Sequence, residues 1–472
     1  MSFSSPGFLF AFLPIFFFIY YAVPASIRNL VLLISSLYFY TIDAGFVSLV
    51  LIASIVVNQV IGVMLARTPA GRARFGLLWF GILLNLLPLI YYKYWTFLVG
   101  VSHDALMPAG IQIMLAPAGI ILPAGISFFT FQGLSYLVDI YRGEIAPARG
   151  FVTFGMYHTL FPQLIAGPIV RYVEVQDRIL RRPIALDDVE AGIVRFCWGL
   201  GKKIIIADGM GTLADHMFGL PPEQLSTAAA WVGALAYTLQ IYFDFSGYSD
   251  MAIGLGRMLG FRFPENFDQP YRSLSITEFW RRWHMTLSRW FRDYLYIPLG
   301  GNKCGPVRTY VNLFTVFVLC GLWHGAAYTF LAWGCYHGVL LVIERVAIRR
   351  GGALPGVIGW PVTLLLVMVG WVLFRADSLG AAGTFLKAMA GFGHAAAPVD
   401  VLAFLTPDKI VFFCLGAVLS VAPVGRILAG IGSEPAGPLR ALAQRSTALL
   451  LFVYSSVLIA ANGFNPFIYF RF

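Results

Sequence analysis

Long apolar stretches recur from one end of this chain to the other, and few charges interrupt them. Of the 472 residues, 59% are hydrophobic and only 12% are charged, whereas a soluble domain usually carries about 25% charged residues. A soluble protein of this composition would lack the polar side chains that cover a surface in water. The composition excludes an ordinary cytosolic enzyme, a disordered chain and a small disulfide-rich scaffold. It predicts an all-α polytopic membrane protein, because a spanning helix satisfies its own backbone hydrogen bonds.

The apolar stretches predict about 10–12 transmembrane or re-entrant helices. We expect them to form one membrane domain over residues 1–472, with no separate soluble domain. The predicted spans are Phe8–Val23, Leu30–Tyr40, Phe46–Leu65, Phe75–Leu98, Ile126–Ile140, Ile193–Ile206, Ala228–Phe245, Ala326–Ile343, Val357–Phe374, Ile410–Val424 and Ala448–Ala461.

The net charge of +10 is more typical of cytoplasmic loops in a membrane protein than of nucleic-acid binding. Basic clusters follow alternate predicted spans, at Arg67, Arg345 and Arg426 among other positions. The positive-inside rule then places the N-terminus and Phe472 outside the cell. The five cysteines form no C-x-x-C pair, so we predict neither a metal site nor a disulfide.

Polar residues are concentrated between Gln240 and Glu344. Residues 257–308 contain nine Lys/Arg against four Asp/Glu, which favours the cytoplasmic side. Ser275 and Glu278 match a capping box at the start of a helix. The spacing of its large apolar residues predicts an amphipathic helix lying in the membrane interface. These residues are Trp280, Trp283, Leu287 and Trp290.

Four arginines stand on the other faces of the same predicted helix, namely Arg281, Arg282, Arg289 and Arg292. Guanidinium groups match phosphate oxygens in charge and geometry. The cluster therefore also suits an anionic donor that carries nucleotide phosphates.

His324 is the most informative single residue. The mostly apolar run Val311–Leu322 before it has 12 residues, or about 18 Å as a helix, against about 30 Å of hydrocarbon. The run predicts a span that does not cross fully and leaves His324 at membrane depth, between Gly321 and Gly325. A buried structural histidine and a catalytic one both remain open on spacing alone, since imidazole is the usual base near neutral pH.

Several motifs in order resemble the membrane-bound O-acyltransferase family, and specifically its bacterial polysaccharide acetyltransferases. The resemblance covers essentially the whole chain and is densest over residues 123–345. The segments that carry it are Pro123–Gln132, Phe161–Ile169, Tyr242–Asp250, Glu278–His284, Tyr294–Asn302, Gly321–Gly325 and Asn465–Phe472.

The resemblance implies a ring of tilted helices around a central funnel, in the inner membrane of a bacterium. It implies that His324 is the catalytic histidine and His284 the family's second histidine. It further implies acetyl-CoA as the donor on the cytoplasmic side, held by the four arginines with Trp323 and Asn302 near its path. Expected partners are a periplasmic polysaccharide acetyltransferase, polysaccharide synthesis and export proteins, and membrane lipids.

Two other functions stay open at this stage. A transporter or flippase for a polysaccharide or lipid intermediate also needs broken helices, although the sequence has no evident internal repeat. Within the same family, D-alanyl transfer to teichoic acid uses a carrier protein instead of coenzyme A. The polymer that is acetylated is also undetermined, with alginate expected first and cellulose next. The residues leave open whether His324 acts as a base or carries the acetyl group.

Overall fold

The fold is taken from a computed structural model. The structure describes residues 2–109, 119–352, 354–393, 395–422, 437–463 and 465–468. Three residues used above to set spans and orientation, Val424, Arg426 and Phe472, lie outside this range. The regular structure of the described residues is helical, without a strand.

Twenty α-helices are present in the described residues, some of them continued by short π or 3-10 turns. In chain order, α1–α20 are Leu13–Ala22, Arg28–Ala44, Ser48–Arg67, Arg72–Leu89, Trp95–Leu106, Ile126–Arg142, Phe151–Thr159, Phe161–Leu164, Tyr172–Leu180, Leu186–Gly201, Asp208–Phe218, Thr227–Met258, Ile276–Arg282, Met285–Phe291, Pro306–His324, Tyr328–Arg349, Gly356–Arg375, Leu379–Met389, Pro407–Val421 and Pro438–Asn462.

Six helical stretches of the described residues are long and apolar enough to cross a membrane. They are Ala25–Arg67, Arg72–Leu106, Pro306–His324, Tyr328–Arg349, Gly356–Arg375 and Pro438–Ala461. The first of them contains two helices, α2 and α3, which meet at Gly45, where φ is 53°. The prediction of an all-α polytopic membrane protein is confirmed. The total of 10–12 spans, the ring of helices and the orientation stay predictions.

Backbone contacts group the chain into two compact units. The first comprises Met1–Val189 with Leu255–Pro264, and the second comprises Glu190–Gly254 with Glu265–Phe472. In the first unit, α3 and α4 are joined by two reciprocal hydrogen bonds of 2.9 Å between the side chains of Asn58 and Asn85. Paired amides of this kind satisfy each other where water is absent.

In the second unit, α15 and α16 form a tight hairpin. Gly321 on α15 faces Gly334 on α16, and a Cβ atom at Gly321 would collide with the carbonyl oxygen of Phe330. At Gly334 a Cβ atom would in turn collide with the carbonyl oxygen of Phe317. Small residues allow such close backbone approach, and here the approach fixes the end of α15, where His324 lies.

The predicted single amphipathic helix over Trp280–Trp290 is wrong. Helix α13 ends at Arg282 and α14 begins at Met285, because His284 has a left-handed backbone with φ of 44°. The four apolar residues of the predicted stripe are buried in the protein: Trp280, Trp283, Leu287 and Trp290. These side chains therefore do not form an apolar face toward lipid, and the depth of the segment in the membrane stays a prediction.

The cap of α13 forms in part as predicted. The Ser275 hydroxyl accepts a hydrogen bond from the backbone N–H of Glu278 at 3.1 Å. The Glu278 carboxylate instead accepts from the backbone N–H of Leu274 at 2.9 Å, one residue before the position that a capping box uses.

Helix α15 is longer than the apolar run from which its length was predicted. It begins at Pro306 and has 19 residues, about 28 Å at 1.5 Å per residue. The prediction that it is too short to cross is wrong, because proline at the first turn lets the helix start before the apolar run. Its predicted end is confirmed, since the backbone becomes extended at Gly325.

Candidate active site

His284 lies at the break between α13 and α14, where Asn266 holds its ring. Its Nδ1 lies 3.1 Å from Asn266 Oδ1, and the same oxygen accepts from the Thr286 hydroxyl at 2.8 Å. The ring packs edge-on against Phe245. His284 is outside the candidate spans, and its burial lowers its pKa to about 3. The imidazole is therefore neutral at physiological pH.

His324 ends α15 and is 5% exposed. Three aromatic rings enclose it, with ring centroids 4.9 Å away for Trp323 and 5.2 Å for Trp333 and Phe374. The backbone N–H of Gly325 donates back to Gly321 at 3.3 Å. A Cβ atom at Gly325 would collide with the Phe330 ring, so glycine is needed at this turn.

One cavity of about 520 Å³ is lined by both histidines. This size lies within the range of about 300–1,000 Å³ that is usual for small-molecule sites. The other lining residues come from α13, α14, the turn after α14, α15 and α16. They are Thr277, Trp280, Arg281, Met285, Leu287, Ser288, Arg289, Phe291, Arg292, Tyr296, Leu313, Val316, Phe317, Cys320 and Leu341.

The cavity lining is strongly basic. Arg281, Arg289 and Arg292 contribute to it, and the described lining residues contain no Asp or Glu. Arg292 also pairs with Asp293, outside the lining, at 2.7 Å. A cavity that holds three guanidinium groups and a mostly apolar wall suits a ligand with an anionic end and an uncharged end.

Arg282 does not belong to this group. Its guanidinium pairs with Asp268 at 3.0 Å and with Glu278 at 2.9 Å, and it does not line the cavity. The structure thus separates Arg282 from the other three predicted arginines and gives it two carboxylate partners. Its predicted part in donor binding is not supported by its position.

Trp323 and Asn302 lie beside the cavity without lining it. The Trp323 ring is 6.0 Å from the His284 ring and 4.9 Å from the His324 ring, between centroids. It therefore packs against both histidines. Asn302 is exposed and accepts a hydrogen bond of 3.2 Å from the hydroxyl of Tyr296, which does line the cavity.

A group of buried ion pairs was not predicted from the sequence. These pairs join α10 and the turn after it to α12 and to the segment that follows α12. Arg195 donates to Asp250 at 2.8 Å and to Glu265 at 2.6 Å, and Lys202 donates to Asp250 at 2.6 Å. The available signal was the position of both cations within the predicted span Ile193–Ile206, because charged residues inside a span usually pair with opposite charges.

A second group of buried ion pairs is centred on Lys203, the residue after Lys202. Lys203 donates to Asp244 at 2.6 Å and to Asp208 at 2.7 Å. The second oxygen of Asp244 accepts from the backbone N–H of Ile468 at 2.8 Å, so this group also anchors the C-terminal segment. Lys203 and Asp244 are both nearly inaccessible.

Comparison with known proteins identifies the family of this chain. Residues 148–361 match the profile of MBOAT, the membrane-bound O-acyltransferase family. The chain is 42% identical over the full length of both chains to the probable alginate O-acetylase AlgI of Azotobacter vinelandii. It is 36% identical to the peptidoglycan O-acetyltransferase of Helicobacter pylori, over 82% of this chain and 80% of that protein.

A more distant relative uses other chemistry. The teichoic acid D-alanyltransferase of Bacillus subtilis is 31% identical over 57% of this chain and 68% of that protein. With full-length relatives at about 40% identity, the chain belongs to the membrane-bound O-acyltransferase family. It is a multi-pass membrane acyltransferase.

Proposed function

We propose that this protein moves acetyl groups from cytoplasmic acetyl-CoA across the inner membrane for O-acetylation of an exopolysaccharide, with His324 at the transfer site. The observation that carries the proposal is the single cavity lined by His284, His324 and three arginines. Alginate is the first candidate polymer, since full-length relatives carry the name alginate O-acetylase, and cellulose is the next.

Acetyl-CoA fits the chemistry of this cavity. Its phosphates would pair with Arg281, Arg289 and Arg292, while the uncharged pantetheine arm would follow the apolar wall toward His324. Arginine forks bind phosphate oxygens through two parallel hydrogen bonds. A periplasmic acetyltransferase and polysaccharide synthesis and export proteins would receive and use the acetyl group beyond His324.

Two routes through His324 balance chemically. As a base, His324 takes the proton of an acceptor hydroxyl while the oxygen bonds to the acetyl carbon, the C–S bond breaks, and the thiolate takes the proton. As a carrier, a ring nitrogen first bonds to the acetyl carbon while the C–S bond breaks, and the thiolate takes the proton of the other ring nitrogen and leaves as the thiol. The acetyl group then passes to the acceptor hydroxyl. Labelled acetyl trapped on the protein without acceptor would indicate the carrier route.

Replacement of His324 tests the proposal most directly. In cells that carry His324→Ala, we expect the acetyl content of the exopolysaccharide to fall at least about 100-fold, the lower range for loss of an acid–base group. The matched control is His216→Ala, a histidine of α11 that is exposed and does not line the cavity. Unchanged acetylation with folded His324→Ala protein in the membrane would refute the proposal.

Separate donor assays decide between the remaining functions. Purified protein that turns over acetyl-CoA in a His324-dependent manner supports acetyl transfer. Turnover only with a D-alanyl carrier protein would support the reaction named for the Bacillus subtilis relative. An export defect without loss of acetyl groups would support transport.

A further inference from the structure

The orientation of the Asn266 amide is determined by a backbone group. Asn266 Oδ1 accepts a hydrogen bond of 3.3 Å from the backbone N–H of Thr286. A backbone N–H can only donate, so the amide atom facing it must be the oxygen. On the other side of the amide, Nδ2 donates to the Ser249 hydroxyl at 3.0 Å.

This orientation dictates which nitrogen of His284 carries the proton. Asn266 Oδ1 lies 3.1 Å from His284 Nδ1, and an oxygen that only accepts needs a donor opposite. Nδ1 must therefore be protonated. In a neutral imidazole, Nε2 then keeps a lone pair, and Nε2 has no hydrogen-bond partner among the described residues.

We infer that Asn266 is a positioning residue that holds His284 in its Nδ1–H form, so that His284 offers substrate a hydrogen-bond acceptor at Nε2. The inference rests on the proposed function and deepens it by giving His284 a chemical role. Guanidinium groups can only donate. His284 would thus complement the three arginines by receiving a hydroxyl or amide N–H of the substrate.

The backbone around Asn266 is fixed from both sides. Its carbonyl oxygen accepts from the N–H of Met285 at 2.9 Å, and the N–H of Asp268 donates to the carbonyl of Arg282 at 2.9 Å. These bonds hold the segment 266–268 alongside the break between α13 and α14. They also support the left-handed backbone of His284, a conformation that is strained for most residues other than glycine.

The residue immediately before this segment is also anchored. Glu265 accepts from Arg195 at 2.6 Å, which ties the segment to α10. Asn266 is 1% exposed and His284 is equally buried. Because neither side chain meets bulk water, the Asn266 amide is the group that selects the tautomer of His284.

The tautomer can be observed directly in the full-length wild-type protein. Solid-state NMR of protein labelled with ¹⁵N-histidine in lipid bilayers, compared with His284→Gln, isolates the His284 signals. We expect a protonated Nδ1 and an unprotonated Nε2. A protonated Nε2 would overturn the inference, and this readout does not depend on acetyl transfer.

Activity tests the role of Asn266 in a double-mutant cycle. In membrane vesicles given labelled acetyl-CoA, Asn266→Leu should lower polymer acetylation at least about tenfold and have no further effect in a His284→Ala background. Asn266→Asp keeps the accepting oxygen and should stay within about threefold of wild type. The ratio of these two Asn266 variants decides the case even where His284→Ala leaves no measurable rate.

A buried amide elsewhere in the second unit provides the matched control. Asn312 donates to the backbone carbonyls of Leu299 and Gly301 at 3.2 Å. We expect Asn312→Leu to lower the amount of folded protein by the same factor in the wild-type and His284→Ala backgrounds. Equal rates for folded Asn266→Leu and Asn266→Asp would overturn the inference. The proposed function would still stand if His324→Ala remained inactive in the same vesicles.

Discussion

Two cavities of the second unit differ in the charges of the side chains that line them. The small one, about 40 Å³, is lined by two cations, Arg195 and Lys202, and by two carboxylates, Asp250 and Glu265. The large one, about 520 Å³, is lined by three arginines and two histidines, with no carboxylate among its described lining residues. The lining of the small cavity is therefore balanced in charge, whereas the described lining of the large cavity has an excess of positive charge, with Arg292 paired to Asp293 outside it.

The difference separates charges that hold the fold from charges that suit a ligand. Buried charges without partners are costly, so the first set is stabilised by pairing within the protein. The second set includes Arg281, which is exposed, and it lines a volume large enough for a small molecule. Charge excess within a cavity is thus a better indicator of a binding site than charge alone.

The largest expected effect is on the balanced cavity. Asp250→Leu leaves Arg195 and Lys202 buried without this partner, which should lower the free energy of unfolding by about 3–5 kcal/mol. Heat denaturation of the purified protein measures the loss. The matched control is Asp377→Leu, whose side chain is 96% exposed in its pair with Arg375 and should cost less than about 1 kcal/mol. Equal losses for the two variants would contradict the comparison.

A smaller effect concerns the neutral histidine of the large cavity. Burial lowers the pKa of His284 to about 3, whereas a histidine in the unfolded chain has a pKa of about 6.5. Between these values the unfolded chain binds more protons, so stability falls as the pH drops below about 6.5. At pH 5 the loss is about 2 kcal/mol.

The variant His284→Gln has no such titration. Heat denaturation at pH 7 and pH 5 should therefore show wild type losing about 2 kcal/mol relative to this variant on acidification. A difference that stays constant between the two pH values would show that His284 is not kept neutral by burial.

The smallest effect is expected at the arginines of the large cavity. Arg281→Gln or Arg289→Gln should each raise the KM for acetyl-CoA about tenfold, or about 1.4 kcal/mol, with little change in kcat. Steady-state turnover by purified protein measures both. Arg308→Gln, at an exposed position of α15 outside the lining, is the matched control and should leave KM unchanged. Equal KM values for all three variants would contradict a phosphate site.

Helix positions were largely predictable from the sequence because a membrane-spanning helix is recognisable from its local apolar composition. Val357–Phe374 was predicted and α17 covers Gly356–Arg375; Ile126–Ile140 was predicted and α6 covers Ile126–Arg142. The break at His284 was not predictable in this way. It depends on hydrogen bonds between residues 14–20 positions apart, which no helical period encodes.

The site shows the same division. The sequence predicted that His324 ends a helix beside Gly325, and it grouped Arg281 with Arg289 and Arg292, because these features are local or repeat at helical spacing. It could not separate Arg282 from Arg281, since the carboxylate of Asp268 reaches Arg282 only in the folded chain. The Arg195–Asp250 pair spans 55 positions and was equally hidden.

The glycine contact between α15 and α16 has a consequence for how this protein can diverge. The backbones of α15 and α16 are in direct contact at Gly321 and Gly334. The separation of the two helices there does not depend on side chains, so substitution cannot adjust it gradually. The cavity wall, in contrast, consists of side chains such as Leu287, Val316 and Leu341. Substitutions in that wall can change the shape of the cavity available to a ligand without moving His324.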